Sequence, residues 1–237
     1  MSGQDFKIFV DVGFAEKQKW YRTNRIAIEF DLLYRWHGLV PDKFDLDGPL
    51  DRMQFMYNNA LVEQHGVEKI IKAASQQKAG KIGLNNTPAF LQDAEMAALN
   101  FARQFHVRSY NEYRARFGQK PVQSFLELTG DAALAGKLER LYKRVDNVEF
   151  VVGLLAEKRS KTAVLGGLMS RMVGVDAFSH ALTNPLLSNN IFGEDTFSEV
   201  GLRTIEETRT FEDIVKRNCG AFPADNVVAS FSAVTET

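Results

Sequence analysis

Thr23-Asn-Arg-Ile-Ala-Ile-Glu-Phe-Asp-Leu-Leu-Tyr-Arg-Trp-His-Gly-Leu-Val-Pro41 is the stretch whose reading decides the fold. Ile26, Phe30, Leu33, Tyr34 and His37 stand at i, i+4, i+7, i+8 and i+11, the apolar stripe of a helix laid on a core. The pattern predicts a helix over residues 16 to 38, with Gly38 in a left-handed terminal position and Pro41 barring its resumption. His37 then falls in the last turn, where the partly negative carbonyl end suits a protonated imidazole. Tyr34 and His37 are three residues apart, so on that helix a phenol and an imidazole share one face. Such a pair is ordinarily core packing with satisfied polar tips, and a ligand role for the imidazole needs support from elsewhere in the chain.

Working outward, the remaining pattern is helical with irregular spacers. A helix is expected over 49 to 64, after Asp47-Gly-Pro49, with Met53, Met56, Tyr57, Ala60 and Leu61 on one face. Gly66 divides it from a short segment, Val67 to Ala74, and the glycine- and asparagine-rich run Lys78 to Asn86 reads as a loop. Thr87-Pro88 has the cap and first-turn proline of a helix start, and Phe90, Leu91, Ala94, Ala98, Phe101 and Phe105 mark that helix's buried face. Ser109 with Glu112, and Ser124 with Glu127, have capping-box spacing. Asp131 opens a helix carrying Leu134, Leu138, Leu141 and Tyr142, and a helix over 163 to 182 is interrupted by Gly166, Gly167 and Gly174. Val227 to Val234 reads as a short strand or an irregular tail within 220–237. Nothing suggests a second domain, so the expectation is one mainly α-helical unit over residues 1–237.

Composition sets bounds. The chain has 237 residues, of which 45% are hydrophobic and 25% charged, enough to bury a core and too apolar for a disordered segment. A net charge of -1 gives no electrostatic case for nucleic acid. Eighteen phenylalanines suit an apolar cavity, although core packing accounts for most of them. Cys219 is the only cysteine, which excludes an internal disulfide and fits a reducing, cytoplasmic compartment. No signal peptide is read at the N-terminus, and no apolar run approaches the roughly 18 residues needed to cross a bilayer. Contact with a membrane is then expected only at its periphery.

The ordered motifs resemble the cyclooxygenase branch of the animal-type haem peroxidases. Asn24 to Phe30 followed by Leu33-Tyr-Arg-Trp-His37 is similar to the family's proximal helix. Ser109-Tyr-Asn-Glu-Tyr-Arg-Ala-Arg-Phe117, Lys120-Pro121, Ser124-Phe125 and Glu127-Leu-Thr-Gly130 follow in the family's order. Leu141-Tyr142, Val145-Asp146, Val148-Glu149 and Gly153-Leu-Leu-Ala-Glu-Lys158 continue it, then Ala177-Phe-Ser179, Asn184-Pro185, Phe197, Glu199-Val-Gly201 and Asn218-Cys219.

The resemblance implies a helical haem peroxidase fold and haem b as cofactor. It makes His37 the axial iron ligand, Tyr34 the radical-carrying catalytic residue, and Tyr142 a proximal-side neighbour of the histidine acting through water. A ligating histidine is usually oriented through its other ring nitrogen, so a phenol there is chemically reasonable. Phe30, Leu33, Trp36, Phe178 and Ser179 are implied to line the substrate channel, Ser179 matching the serine that aspirin acetylates in cyclooxygenases. Read from the residues alone, Ser179 is equally a helix-surface serine. The implied reaction takes a hydrogen atom from an unsaturated fatty acid by the Tyr34 radical, after which O2 adds. Peroxide reduction is the nearest enzymatic alternative, and a non-catalytic binding or structural role is the other.

Two departures refine this expectation. Arg35 replaces a histidine of vertebrate cyclooxygenases, making Tyr-Arg-Trp-His similar to fungal linoleate diol synthases, and Asp176 and His180 are unlike an apolar channel. Simple fatty-acid dioxygenation is therefore favoured over prostaglandin synthesis. The family's distal histidine, in a Gln-Phe-x-x-His setting, has no counterpart: Gln54-Phe55 is followed by Met56-Tyr57-Asn58 and lies after the proximal helix. His65, His106 and His180 read as structural or solvated. Peroxide cleavage then lacks its acid–base group within this chain, and the expectation is a fragment, a decayed homologue, or one piece completed by a distal-half polypeptide or a homo-oligomer.

Overall fold

A computed structural model describes residues 26–161, 163–184, 186 and 191–219. Twelve α-helices and one short hairpin are found among them. The helices are α1 (Ile28–Leu33), α2 (Arg52–Phe55), α3 (Asn59–His65), α4 (Val67–Gln76), α5 (Gln92–Gln104), α6 (Tyr110–Arg116), α7 (Phe125–Thr129), α8 (Ala132–Tyr142), α9 (Phe150–Ala156), α10 (Gly167–Leu182), α11 (Glu194–Glu207) and α12 (Phe211–Asn218). Strands β1 (Lys43–Asp45) and β2 (Pro49–Asp51) pair antiparallel with Phe44 opposite Leu50. The mainly helical expectation is met.

Local chemistry sets many of the boundaries. Ser109 and Glu112 close a reciprocal capping box at α6, and Asp131 accepts the Leu134 amide to start α8. Ser124 caps α7 through the Glu127 amide, but the Glu127 carboxylate turns to the Gln123 amide instead, so only half of that expected box forms. Gly66, at φ 77°, separates α3 from α4 at the expected place.

The long proximal helix is not found. Its described part is α1, six residues ending at Leu33; Tyr34 closes it and His37 begins a separate 3-10 turn, His37–Leu39. Gly38 does not have a positive φ. Glycine is needed there for close approach instead: a Cβ on Gly38 would lie 2.5 Å from the Lys81 carbonyl oxygen, and one on Gly80 would lie 2.1 Å from the Gly38 oxygen. The Gly80 amide donates to the Leu39 carbonyl at 3.0 Å and Asn86 Nδ2 to the Gly38 carbonyl at 3.2 Å, clasping the loop to the His37 turn.

The expected 49–64 helix is also broken. Asp47-Gly48 folds the chain into the hairpin, Asp51 caps the four-residue α2, and Tyr57 sits at φ 57° with 98% of its surface exposed. Thr87-Pro88 precedes a 3-10 turn, Ala89–Leu91, and the α-helix starts at Gln92. Its buried residues are Ala98 and Ala102, whereas Phe105 lies past its end and is half exposed. In α8 the core takes Leu138 while Leu141 points to solvent. The helix expected from 163 begins at Gly167. Residues 16–25, Pro185 and the Val227–Val234 run lie outside the described residues.

The core lies where α1, α5, α6, α9 and α10 meet. Leu32, Leu33, Tyr110, Phe150, Leu168 and Met169 are each at most 2% exposed. Each large apolar side chain buried this way contributes on the order of 1.5–3 kcal/mol. Asn111, buried among them, has its donors on the Val122 carbonyl and Asp146 and its oxygen on the Val122 amide, so its burial leaves no polar atom unmet. No described helix is long and apolar enough to cross a membrane.

Candidate functional site

Because α1 ends at Leu33, Tyr34 and His37 do not share a helix face. Each reaches a different carboxylate. The Tyr34 hydroxyl donates to Asp176 Oδ2 on α10 at 3.0 Å, and His180, one turn further on, stands 3.4 Å from the same oxygen. The Tyr34 ring lies 4.7 Å from that of Phe30 and 5.4 Å from that of Trp36, while Phe30 meets His180 edge-on at 6.0 Å. Burial first, then the hydrogen bond and charge of Asp176, push the phenol's pKa up to about 12.

His37 Nδ1 lies 2.6 Å from Glu95 Oε1 on α5. Its side chain is 29% exposed and that of Glu95 15%. Arg35 lies beside this contact, its Nη1 donating to the Ala94 carbonyl at 3.2 Å and its Nη2 to Asp31. Glu95 also borders a hollow of about 130 Å³ with the apolar Leu84, Leu99, Val151 and Leu155 and the polar Asn85 and Thr87.

Tyr142 is not the hydrogen-bond neighbour of His37. Its hydroxyl donates to Glu149 Oε2 at 2.7 Å, and Arg103 grips the same carboxylate through Nε at 2.6 Å and Nη2 at 3.2 Å. The guanidinium holds the Glu149 carboxyl below the usual range, and burial followed by the Glu149 contact pushes the Tyr142 phenol up. Leu33 is in the core, and Trp36 donates its indole N–H to the Leu33 carbonyl at 3.1 Å. Ser179 is fully buried with its hydroxyl turned back to the Val175 carbonyl, so it is not a helix-surface serine; Phe178, its neighbour, is 37% exposed.

The packing of α1 on α10 thus gathers Phe30, Tyr34, Trp36, Asp176 and His180, and the packing of α1 on α5 brings His37 to Glu95. Sequence reasoning noticed Asp176 and His180 only as departures and passed over Glu95. A carboxylate in the first turn of a helix is explained by the helix's positive end, so nothing local marks Glu95 as a partner of a histidine 58 residues away.

The family model described as animal haem peroxidase matches residues 20–228. Prostaglandin G/H synthase 2 of Bos taurus is 34% identical across the whole chain, and that of Oryctolagus cuniculus 35% across 94% of it. The chain spans 40% and 37% of those proteins. Among solved structures, fatty acid alpha-dioxygenase of Arabidopsis thaliana superposes with a TM-score of 0.75 at 20% identity, covering 90% of this chain and 39% of that one. Peroxidase A of Dictyostelium discoideum gives 0.66 at 22%, covering 86% and 42%. These two share the fold. With a family match over most of its length, the chain belongs to the animal haem peroxidases.

Proposed function

We propose that this chain carries the proximal side of a haem site for oxygenating unsaturated fatty acids, with His37 as axial ligand and Tyr34 as the radical residue. The observation that carries the reading is His37 itself: Nδ1 is engaged by Glu95 while Nε2 has no hydrogen-bond partner among the described residues. A haem iron brings four nitrogens of its own and asks the protein for one such imidazole nitrogen, so the donor set fits the group. Bound haem supplies the one-electron oxidising power that a phenol needs. Asp176 Oδ2 stands where it takes the phenol proton as the ring loses an electron, and Phe30 and Trp36 pack the ring in place. The named relatives, prostaglandin synthases and fatty acid alpha-dioxygenases, support a fatty-acid substrate together with O2 and peroxide.

Those relatives are more than twice as long as this chain, and we assign the acid–base group that cleaves peroxide to residues other than these 237. The single cysteine agrees with a reducing, cytoplasmic setting. Peroxide reduction without oxygenation is favoured by one observation: a carboxylate occupies the Tyr34 hydroxyl, where a substrate carbon has to approach.

Titrating the purified chain with haem tests the ligand. A stoichiometric Soret band lost in His37→Ala is expected, and a band unchanged by that substitution excludes His37. Tyr34→Phe, assayed in protein that also carries the distal-half residues, then separates the reactions, because oxygen uptake with linoleate should vanish while peroxidase turnover persists. Retention of both in the variant removes the radical role.

A further inference from the structure

We propose that Glu95 is a positioning residue for His37: its carboxylate accepts a hydrogen bond from the Nδ1–H of the ring and so presents Nε2 as the lone-pair donor to a haem iron. This rests on the reading of His37 as a haem ligand. A neutral imidazole carries one proton, and only the tautomer with that proton on Nδ1 leaves Nε2 able to ligate.

The fold leaves the choice of tautomer to a tertiary contact. His37 opens a 3-10 turn after a break in the helix, so α-helical register does not aim its ring. Glu95 Oε1, at 2.6 Å, is the only hydrogen-bond partner of the ring among the described residues, and the Tyr142 hydroxyl donates to Glu149. The two chain segments are tied twice, because Arg35 holds the Ala94 carbonyl one residue before Glu95. From the other side Gly38, Gly80 and Asn86 clasp the turn that carries His37. The contact is between a partly buried ring and a mostly buried carboxylate, and a hydrogen bond to a carboxylate is stronger than one to a neutral acceptor.

A carboxylate at the outer nitrogen makes the inner one a stronger electron donor than a neutral partner would. Glu95 therefore bears on two separable properties, the orientation of the ring and the electron density it gives the metal. Glu95→Ala removes both. Glu95→Gln keeps an oxygen to accept the Nδ1 proton and removes the charge.

The test uses the full chain with these two variants and His37→Ala. Without haem, ¹⁵N NMR of the neutral ring is expected to find the His37 proton on Nδ1 in the native chain and distributed between both nitrogens in Glu95→Ala. With haem, Glu95→Ala should bind about ten- to a hundredfold more weakly. Glu95→Gln should keep the Soret band while the ferrous iron–histidine stretching band moves to lower frequency and the reduction midpoint rises. A purely structural contact would move neither of those readouts in Glu95→Gln. Unchanged tautomer and haem affinity in Glu95→Ala, or an unchanged stretching band and midpoint in Glu95→Gln, overturns the proposal while His37→Ala still abolishes the band. A band that survives His37→Ala removes the ligand reading itself. Should Glu95→Ala lose its helical circular dichroism, Glu95→Gln decides.

Discussion

Tyr34 is held as a neutral phenol by its surroundings: burial, the Asp176 hydrogen bond and the Asp176 charge together place its pKa at about 12 against an ordinary 10.0. The folded chain keeps that proton between those values while the unfolded chain releases it, so Tyr34 subtracts stability as pH rises through that window. Asp176→Asn keeps the shape and removes the charge, and the phenol is expected to titrate at lower pH. The tyrosinate absorbance of Asp176→Asn, taken against the same chain carrying Tyr34→Phe, measures this directly. A curve superimposable on that of the native chain would mean that the contact is not made in solution. At this scale the sequence singled out Tyr34 and His37 but not their partners, because Asp176 lies 142 residues from Tyr34 along the chain.

Helix α9 meets α6 through a close approach in the core. Tyr110 is completely buried, and a Cβ on Gly153 would lie 2.2–2.4 Å from its Cβ and ring carbons. Gly153→Ala gains about 1 kcal/mol of helix propensity but overpacks a ring that has nowhere to move, a cost of about 1–3 kcal/mol or somewhat more. A net destabilisation of up to about 2 kcal/mol is expected, read as a lower urea midpoint with an unchanged slope. An unchanged or higher midpoint would show that the helices slide apart freely. Element starts such as Ser109 and Asp131 were legible because their hydrogen bonds close within three residues. The break after Leu33 was not: the apolar stripe continues through Tyr34 and His37, yet both leave the helix for partners on α10 and α5.

Across the molecule, Glu149 joins three segments that no local pattern connects. It precedes α9, receives the Tyr142 hydroxyl from the end of α8, and forms a two-point contact with Arg103 near the end of α5. Arg103 foremost, helped by Tyr142, holds the carboxyl below its ordinary 4.5. A depressed carboxyl contributes stability that is present above its unfolded pKa and lost as pH falls through its folded one. Thermal midpoints of the native chain should therefore drop as pH is lowered below about 4.5. Glu149→Gln should start lower at neutral pH and fall less steeply over the same range. Equal slopes in the two chains would assign the acid sensitivity to other carboxylates. Solvent around Arg103 screens the pair and keeps the effect modest.

The sequence by itself determined the helical class, the capped starts of α6 and α8, and the motif order that identifies the family, because those depend on residue type and on bonds between near neighbours. Tertiary structure alone decided that the helix stops at Leu33, that Gly38 serves a backbone contact rather than a left-handed turn, and that Glu95 meets the His37 ring. The physical reason is distance along the chain. A hydrogen bond spanning 58 or 142 residues exists only once the core has packed its helices together, and the gain from completing such a bond outweighs one further turn of a short helix.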